Sequence, residues 1–256
     1  MKLFKVILIS IVCLIILFPK NSYAQSRKVV NMPVYDYHKY HFGFILAMNQ
    51  MHFTIKPIEG LNYKIFDSIA AQEISADSAM LYSVEDDPTI GFTVGIVSNL
   101  RLGNYFDLRF IPSLTFGERY LDYRILKFRN GEQELIEIRK NIPSTFVELP
   151  FHLKYKSKRL NNFRAYVLTG VNFRIDLASQ ANKSRDLSQV QVKLKRNDIY
   201  YEIGVGFDFY FEWFKLGTEV KMSYGILDIL KREGNIYTDG IDKLSSKIFQ
   251  FSFTFE

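Results

Sequence analysis

The chain of 256 residues carries a net charge of +6 and is 48% apolar, and 16% of it is aromatic, with 23 Phe and 16 Tyr against one Trp. This length allows one large domain or two small ones. A soluble protein so rich in phenylalanine would show long apolar core runs, yet after the first twenty residues almost none are present. The apolar residues are instead spread in alternation, which disfavours an ordinary soluble core.

The N-terminus has the layout of a secretory signal peptide. Two lysines precede an apolar run over 6–18, and small residues stand at the two positions that a signal peptidase reads. A membrane anchor is the alternative, but the run is shorter than the ~20 apolar residues that a spanning helix needs. We therefore predict a signal peptide over 1–24, cleaved between Ala24 and Gln25. Because the residue after the cut is not cysteine, no lipid attachment is expected there.

Cleavage changes the composition in two ways. It removes Cys13, the only cysteine, and it removes three lysines but no acidic residue, so the net charge falls from +6 to +3. Without a cysteine, the mature chain can form neither a disulfide nor a thiolate metal site. A net charge this small removes most of the support for a polyanion-binding protein, and we expect no nucleic-acid partner.

Eight segments of the mature chain alternate apolar and polar residues, as strands do whose successive side chains point to opposite faces. They follow a polar lead-in over 25–40 and form one domain over 41–256. The segments are 41–49, 89–97, 106–119, 144–156, 163–177, 200–211, 214–225 and the closing stretch KIFQFSFTFE. In the last segment every second residue is aromatic: Phe249, Phe251, Phe253 and Phe255.

The connections between these segments alternate in length. Three are short (NLRLGN, SKRLNN and the pair Glu212-Trp213), and four are long (55–88, 120–143, 178–198 and 226–246). This layout predicts an all-β fold, an eight-stranded antiparallel transmembrane β-barrel of the outer membrane with short periplasmic turns and longer extracellular loops. Closure of the barrel satisfies every backbone polar group, as lipid requires. Met51 and Phe53 fall on the opposite parity to the rest of the first segment, which predicts a β-bulge.

A soluble sandwich or lipocalin-like barrel is the alternative, because its strands also alternate. Two observations favour the membrane barrel. Glycines and charges of both signs fill the polar face, which suits a narrow lumen, and aromatics such as Tyr155, Phe163 and Tyr224 lie near strand ends, as in interfacial girdles. We expect the four terminal phenylalanines to face lipid and to form the signal that the barrel-assembly machinery recognises.

The interior of an eight-stranded barrel is about wide enough to be filled by side chains. Opposite charges in so tight a space should pair, because an unpaired buried charge is very costly. We therefore predict a charge network in the lumen rather than a proton or ion path. Its members are Asp107, Arg109, Glu148, His152, Lys154, Arg164, Arg174, Asp176, Glu202, Asp208, Lys215, Glu219 and Lys221.

Enzymatic interpretations have little support from the sequence. His152 and Glu148 share the inward row and could suggest acid-base chemistry, but a luminal histidine beside a carboxylate is more often structural. The sequence has no nucleophile elbow, zinc-spaced histidine pair or phosphate loop, and the glycines of GVGF at 204–207 indicate space beside bulky neighbours. We expect no catalytic, metal or cofactor site, although a lipid hydrolase stays an open alternative.

Two of the predicted loops differ in charge. The first carries the acidic residues Glu73, Asp77, Glu85, Asp86 and Asp87, and the third carries the basic residues Lys183, Arg185, Lys193, Lys195 and Arg196. Solvated surface charge explains both. A sharper hypothesis is that the basic loop binds lipopolysaccharide phosphates or a partner protein at the cell surface.

Four stretches resemble a known family. They are PVYDYHKYHFGF (33–44), FDLRFIPSLTFGERYLDY (106–123), VELPFHLKYKSKRLNNFRAYVLTGVNFRIDLAS (147–179) and YEIGVGFDFYFEWFKLGTEVKMSYG (201–225). Together they are similar to the PorT family of Bacteroidota outer-membrane proteins, over nearly the whole mature chain.

The resemblance implies a role in type IX protein secretion, and in gliding motility where that occurs, with other secretion-system proteins as partners. Members are often described as protein-translocating porins. A lumen filled by its own side chains could not pass a folded protein, so an accessory or assembly role is expected instead. A generic structural or adhesive barrel is the second hypothesis, and a lipid-modifying enzyme the third.

Overall fold

A computed structural model describes residues 29–67, 74–179 and 192–256. The predicted signal peptide over 1–24, with its cleavage between Ala24 and Gln25, lies outside the described residues. Within the described part, no helix combines the length and the apolar character needed to cross a membrane. The helical segments there are two 3-10 turns, Tyr35–Tyr37 and Leu61–Tyr63, and one short α-helix, α1 (Ile236–Asp239).

The described residues form eleven strands in one antiparallel sheet. The strands are β1 (Tyr40–Pro57), β2 (Ile65–Phe66), β3 (Ser78–Pro88), β4 (Ile90–Arg101), β5 (Phe106–Phe110), β6 (Ser113–Arg129), β7 (Glu132–Lys156), β8 (Phe163–Asp176), β9 (Asn197–Tyr210), β10 (Lys215–Gly225) and β11 (Ile241–Phe255). The strands pair in the order β1-β11-β10-β9-β8-β7-β5-β4-β6-β3-β2. Because β1 also pairs with β4, and β7 with β6, the ladder returns to its starting strand.

The number of strands differs from the predicted eight. One extra strand is the two-residue β2, and two more arise where long strands are interrupted, between β3 and β4 at Thr89 and between β5 and β6 at Ile111-Pro112. The second interruption lies opposite Pro150 of β7, since Phe110 pairs with Phe151 and Ser113 with Glu148. Pro112 and Pro150 lie one position apart in this register, and each lacks an N–H donor, which explains the break.

Two of the predicted long loops are largely strand. The 55–88 region contains the end of β1 together with β2 and β3, so Glu85, Asp86 and Asp87 lie on a strand. The 120–143 region is a hairpin, because β6 and β7 are joined by only Asn130-Gly131 and pair from Arg129 opposite Glu132. Both turn residues have positive φ, 49° and 85°, as a type I′ turn requires. The Asn-Gly pair is the sequence signal for this hairpin.

The hairpin makes β7 far longer than a bilayer requires. Its 25 residues span roughly 80 Å at ~3.3 Å per residue, whereas a membrane strand needs about 9–11 residues. We call the part of the sheet next to the short turns the belt. The part beyond it is called the extension, and it consists of residues 51–57 of β1, all of β3, 117–129 of β6, 132–146 of β7 and 241–248 of β11.

Side-chain polarity reverses between the belt and the extension while the alternation along each strand continues. The even-numbered side chains of β7 point inward throughout. Those of the belt are mainly polar (Glu148, His152, Lys154 and Lys156), and those of the extension are mainly apolar (Ile136, Ile138, Ile142 and Phe146). The outward side chains change in the opposite sense, from Phe151, Leu153 and Tyr155 to Glu137, Arg139 and Asn141. The belt is therefore apolar outside, and the extension is apolar inside.

The same reversal corrects the bulge predicted at Met51 and Phe53. The register between β1 and β11 runs without a shift from Phe44 opposite Phe255 to Lys56 opposite Lys243. Met51 and Phe53 are buried because odd-numbered residues of β1 face the interior, and above residue 50 that interior is apolar. The change of parity in the sequence therefore marks the upper edge of the belt, not an extra residue.

The extension has a hydrophobic core of its own. Strands β1, β3, β6, β7 and β11 contribute side chains to it, and α1 closes it with Ile236 and Tyr237. Its fully buried members are Ala79, Leu81, Leu121, Tyr123, Ile125, Ile236 and Leu244. This core covers the end of the belt that lies away from the short turns.

Candidate functional site: the charged interior

All thirteen charged residues predicted to face the lumen are buried, each with at most 7% of its surface exposed. They come from five strands, β5 and β7–β10, and most lie within salt-bridge distance of an opposite charge. Twelve of them belong to two clusters or to a rim of ion pairs at the short-turn end. Asp176 lies apart from these groups.

The upper cluster surrounds Glu202 of β9. Its carboxylate lies 2.6 Å from His152 Nε2, 3.1 Å from an Arg174 nitrogen and 2.9 Å from Lys221 Nζ. Asn172 and Ser223 also donate hydrogen bonds to it, at 2.9 and 2.7 Å. One buried carboxylate is thus held by donors from β7, β8 and β10, and it ties these walls of the barrel together across the interior.

Glu148 completes this cluster. It lies 3.0 Å from Arg174 Nε and accepts a hydrogen bond of 3.1 Å from Asn172. His152 and Glu148 both face the interior, but the hydrogen bond of His152 goes to Glu202 and not to Glu148. The two carboxylates share Arg174 and Asn172, so their charge is balanced within one network.

The lower cluster contains Glu256, which the sequence interpretation missed. Its side chain is fully buried and lies 2.8 Å from Lys215 Nζ and 3.4 Å from an Arg109 nitrogen. Arg109 also bonds Glu219 at 3.1 Å, and the Tyr166 hydroxyl donates to the same carboxylate at 2.9 Å. Glu256 continues the alternation of the closing strand by extending from β11 into the interior.

Lys154 and Asp208 form a pair beside the lower cluster. Lys154 Nζ donates to both carboxylate oxygens, at 3.0 and 2.8 Å, and sits 3.5 Å from the centre of the Tyr166 ring. Room for this ring comes from Gly206, where an added Cβ would lie 2.5 Å from the tyrosine side chain. The expectation that the GVGF glycines leave space for bulky neighbours is confirmed at this position.

The lead-in closes the rim at the short-turn end. Asp36 accepts two hydrogen bonds from Arg164, at 2.9 and 3.0 Å, and lies 3.5 Å from Arg159. Tyr35 donates to Glu256 at 3.0 Å and stacks on His41 with ring centres 3.9 Å apart. The segment therefore folds back across the barrel mouth instead of extending away from it.

A further ion pair at the rim joins Lys156 to Asp107 at 2.6 Å, and Asn99 donates to the same carboxylate at 3.1 Å. Lys156 and Asp36 were absent from the predicted set. Lys156 has the inward parity of Lys154 and could have been found from that pattern, whereas Asp36 lies in the lead-in, where no strand period applies.

Asp176 and Arg119 lie near the boundary between belt and extension. Asp176 caps backbone N–H groups of Ala178 and Thr145, at 2.9 and 3.4 Å, rather than joining a salt bridge within the described residues. The buried Arg119 guanidinium donates to Ser144 and Ser246 and lies 4.2 Å from the Phe53 ring centre. Arg119 has the inward parity of Arg109 and was missed. It marks the transition from polar lumen to apolar core.

The chemistry available in this interior is limited. His152 Nε2 is committed to Glu202, and both groups are fully buried. No group of three potential metal ligands occurs among residues 29–67, 74–179 and 192–256. A cavity of about 10 Å³ beside Arg119, Arg174 and Asp176 has space for about one water molecule. The geometry supports a rigid, paired interior.

The outer surface of the belt is apolar around the sheet. Phe251 and Phe253 of the closing strand are exposed, and Phe255 stacks on Phe44 with ring centres 4.8 Å apart. Other exposed side chains of the belt are Phe42, Leu46, Ile96, Leu108, Leu153, Val167, Val205 and Val220. In water, so large an apolar surface would promote aggregation. An apolar surface around a closed sheet is suited to contact with the hydrocarbon of a bilayer.

The basic third loop is only partly described. Lys183 and Arg185 lie outside the described residues. Lys193 is 8% exposed and pairs with Glu233 at 3.0 Å, and Lys195 donates to the backbone carbonyl of Asp228 at 2.8 Å. Lys193 is thus held in an internal ion pair instead of being presented to an external anion.

A sheet that pairs back to its first strand, with an apolar outer belt and a charged interior, defines a transmembrane β-barrel. Residues 23–231 match the model of the outer membrane protein beta-barrel domain family. The chain belongs to this family, and it is an outer-membrane β-barrel protein.

Solved outer-membrane barrels are similar to this chain only distantly. OprG from Pseudomonas aeruginosa is 11% identical over 85% of this chain and 95% of that one, with a TM-score of 0.39. Neisserial surface protein A is 11% identical over 82% and 95%, with a TM-score of 0.35. Ail of Yersinia pestis, solved in complex with the heparin analogue sucrose octasulfate, is 8% identical over 85% and 99%, with a TM-score of 0.35. No curated protein sequence matches.

The first prediction concerns Glu202. Replacing it by glutamine leaves Arg174, Lys221 and His152 buried without their shared carboxylate, so Glu202→Gln should lower the free energy of unfolding by about 3–5 kcal/mol. The matched control is Glu137→Gln, which removes an exposed partner of Arg124 and should change stability little. Urea unfolding of the refolded barrels in lipid vesicles measures both. Equal effects would contradict the interior network.

The second prediction concerns the docking of the lead-in. Burial opposes ionisation of Asp36, but Arg164 and Arg159 outweigh it and hold the pKa of this carboxyl below its ordinary value. The folded pKa is thus lower than the unfolded one. The stabilisation is complete above the unfolded value of about 3.9, and it is lost as the pH falls through the folded value.

Hydrogen exchange of the backbone amides of residues 31–39 measures this docking. Protection should be constant from neutral pH to about pH 4 and should fall below that. Asp36→Asn should lower the protection about tenfold at neutral pH, whereas Asp122→Asn, on the outer face of the extension, should leave it unchanged. Full protection in Asp36→Asn would show that the ion pair does not hold the lead-in.

Proposed function

We propose that the protein is a closed, non-conducting barrel that acts as an accessory component of type IX secretion through contacts made by its extension. The observation that carries this proposal is the filled interior. Paired charges occupy the belt, an apolar core covers one end and the lead-in crosses the other. A barrel built in this way has no path for a protein cargo, so a role in secretion would depend on its outer surfaces.

The barrel is further proposed to cross the membrane eight times. Strands β3 and β4 pair one after the other with the same neighbouring strand, β6. In the same way, β5 and β6 pair one after the other with β7. Each pair therefore acts as one interrupted strand. With the two-residue β2 left outside the count, the ring has eight strands, and the three short turns that join them lie on the periplasmic side.

The extension offers a free strand edge for partner binding. The ladder between β7 and β8 begins at Phe146 opposite Asp176, so above it β7 has a strand neighbour on only one side within the described residues. Thr145 accepts a hydrogen bond from Leu177 on this side, and Leu149 donates to the Asn172 side chain there. Odd-numbered residues of β7 hence direct their backbone polar groups to the free edge, where an extended segment of another protein can add as a strand.

Surface charge limits unspecific pairing at this edge. Arg139 lies 2.9 Å from Asp87 and 2.7 Å from Asp122, and Arg124 lies 2.9 Å from Glu137. Charged side chains along an edge strand disfavour unspecific aggregation, so a partner strand must match them. Pro143 shares a pocket with Ala178, Val192 and Leu194, so within the described residues the edge that is open to a partner strand lies beyond it, at 133–139.

The link to type IX secretion, Bacteroidota and gliding rests on the sequence resemblance to the PorT family. The protein is proposed not to be an enzyme, since His152, Glu148 and Glu202 are buried and committed to one another's network. The second candidate function is a structural or adhesive barrel. The tall hairpin ending at Asn130-Gly131 favours it, because it carries the free edge well beyond the bilayer.

The third prediction separates these functions in a deletion strain complemented in trans. On the proposed function, cargo with the C-terminal sorting domain stays in the periplasm of the deletion strain, and the wild-type gene restores its export. Arg139→Pro removes one N–H from the free edge and should fail to restore export, whereas Arg139→Ala, which loses the same ion pairs, should restore it.

Heat-modifiable migration of each variant checks that its barrel is folded. Normal export in the deletion strain would exclude the secretion role and leave the structural or adhesive candidate. Restoration by Arg139→Pro would keep the secretion role but exclude strand addition at this edge.

A further inference from the structure

Just above the belt, the outward faces of β1 and β11 form an unusual ladder. Three cross-strand pairs follow one another there, two of them basic and one carrying hydroxyl groups: His52 opposite Lys247, Thr54 opposite Ser245, and Lys56 opposite Lys243. Below them the outward positions belong to the lipid-facing Phe249, Phe251 and Phe253. Basic and hydroxyl groups are thus concentrated at the upper edge of the apolar surface.

The pair of Lys56 and Lys243 works against the stability of the sheet. Like charges directly opposite each other on neighbouring strands repel. Lys56 is relieved by Asp242, whose carboxylate lies 2.6 Å away, while Lys243 Nζ donates only to the neutral carbonyl of Ile226, at 3.1 Å. Among the residues that the structure describes, neither Lys243 nor Lys247 has a carboxylate within 4.0 Å.

Lys247 fixes the height of this patch relative to the bilayer. Its ammonium lies 4.8 Å from the centre of the Phe249 ring and 5.5 Å from that of Tyr224. Both rings belong to the outer aromatic surface of the belt. An ammonium group held against aromatic rings at the upper edge of the belt lies where hydrocarbon gives way to headgroups.

The acidic side chains nearby are already engaged. Asp86 bonds His52 at 3.1 Å, and Asp242 bonds Lys56. Asp228 lies 2.8 Å from Arg232 and also accepts hydrogen bonds from the backbone of Leu230 and Leu244. The surplus charge of the patch is therefore positive, and it belongs to Lys243 and Lys247.

We propose that Lys243 and Lys247, with the hydroxyl groups of Thr54 and Ser245 between them, bind the phosphate groups of an anionic lipid headgroup in the outer leaflet. The two lysines are four positions apart, which places their Cα atoms ~13 Å apart along β11. Such a spacing fits a headgroup with two phosphates at opposite ends of a disaccharide. The inference rests on the proposed orientation of the barrel, with its short turns on the periplasmic side, and it is independent of the secretion role.

The experiment uses the mature barrel refolded in neutral phosphatidylcholine nanodiscs, with bisphosphorylated lipid A as the probe and its dephosphorylated form as the reference. Native mass spectrometry gives the dissociation constant of each. The wild type should bind the bisphosphorylated form at least about tenfold more tightly, since each lost ammonium-phosphate contact costs about a factor of ten. Lys243→Gln with Lys247→Gln should abolish this preference.

The matched control is Lys39→Gln with Lys158→Gln, which removes the same charge from exposed lysines at the short-turn end. It should keep the preference of the wild type. In the absence of anionic lipid, the Lys243 and Lys247 double variant should unfold at the same temperature as the wild type or higher, because a repulsive pair has been relieved. This readout separates lipid binding from a merely structural role.

Three results would overturn the proposal. The double variant could retain the preference, or the control could lose it equally, which would indicate bulk charge alone. Inorganic phosphate at matched concentration could displace the lipid and stabilise the barrel as well as lipid A does, which would assign the patch to a free anion.

Discussion

The structure depends on the exclusion of water from the hydrocarbon of the bilayer. Every strand must place apolar side chains outward in the belt, because lipid solvates nothing else, and the ladder must close to satisfy its backbone. Alternation then sends the polar half of each strand inward. In a barrel this narrow those side chains meet, so Glu202 and Glu256 are each held by several cations. The paired charges of the interior therefore follow from the apolar outer surface that the lipid requires.

The extension shows the same strands in a different solvent. Beyond the belt the outside is water, so the inward half of the alternation becomes apolar and the outward half charged, as in a soluble β-protein. The strands change environment without changing register, as β1 demonstrates between Gln50 and Phe53. Arg119 occupies the junction, where its guanidinium bonds two serines and its flat face meets Phe53. Two folding rules are thus combined in one continuous sheet.

The two polarity rules explain which features of the structure the sequence predicts and which it does not. The parity of the charged residues placed thirteen of them at positions that are buried in the structure, because one polarity rule applies in the belt, although Lys156 and Glu256 share that parity and were missed. The same rule fails above the belt, where Met51, Phe53 and the 120–143 region have the opposite polarity, so that the sequence predicts a bulge and a loop in place of continuous strands. Asn130-Gly131 carried the local signal for the hairpin. Asp36 could not be found, since its position depends on a tertiary contact of the lead-in with Arg164.

The most direct test of this account is a scan of β7 with single cysteines, which is possible because the sequence has only one cysteine, Cys13, in the predicted signal peptide. Nitroxide labels at odd positions from 133 to 155 would be probed in vesicles with oxygen and with a water-soluble nickel complex. The account predicts oxygen access from 147 to 155 and nickel access from 133 to 141, with the reversal near 145. Oxygen access along the whole strand, or nickel access throughout it, would contradict the change of solvent at the upper edge of the belt.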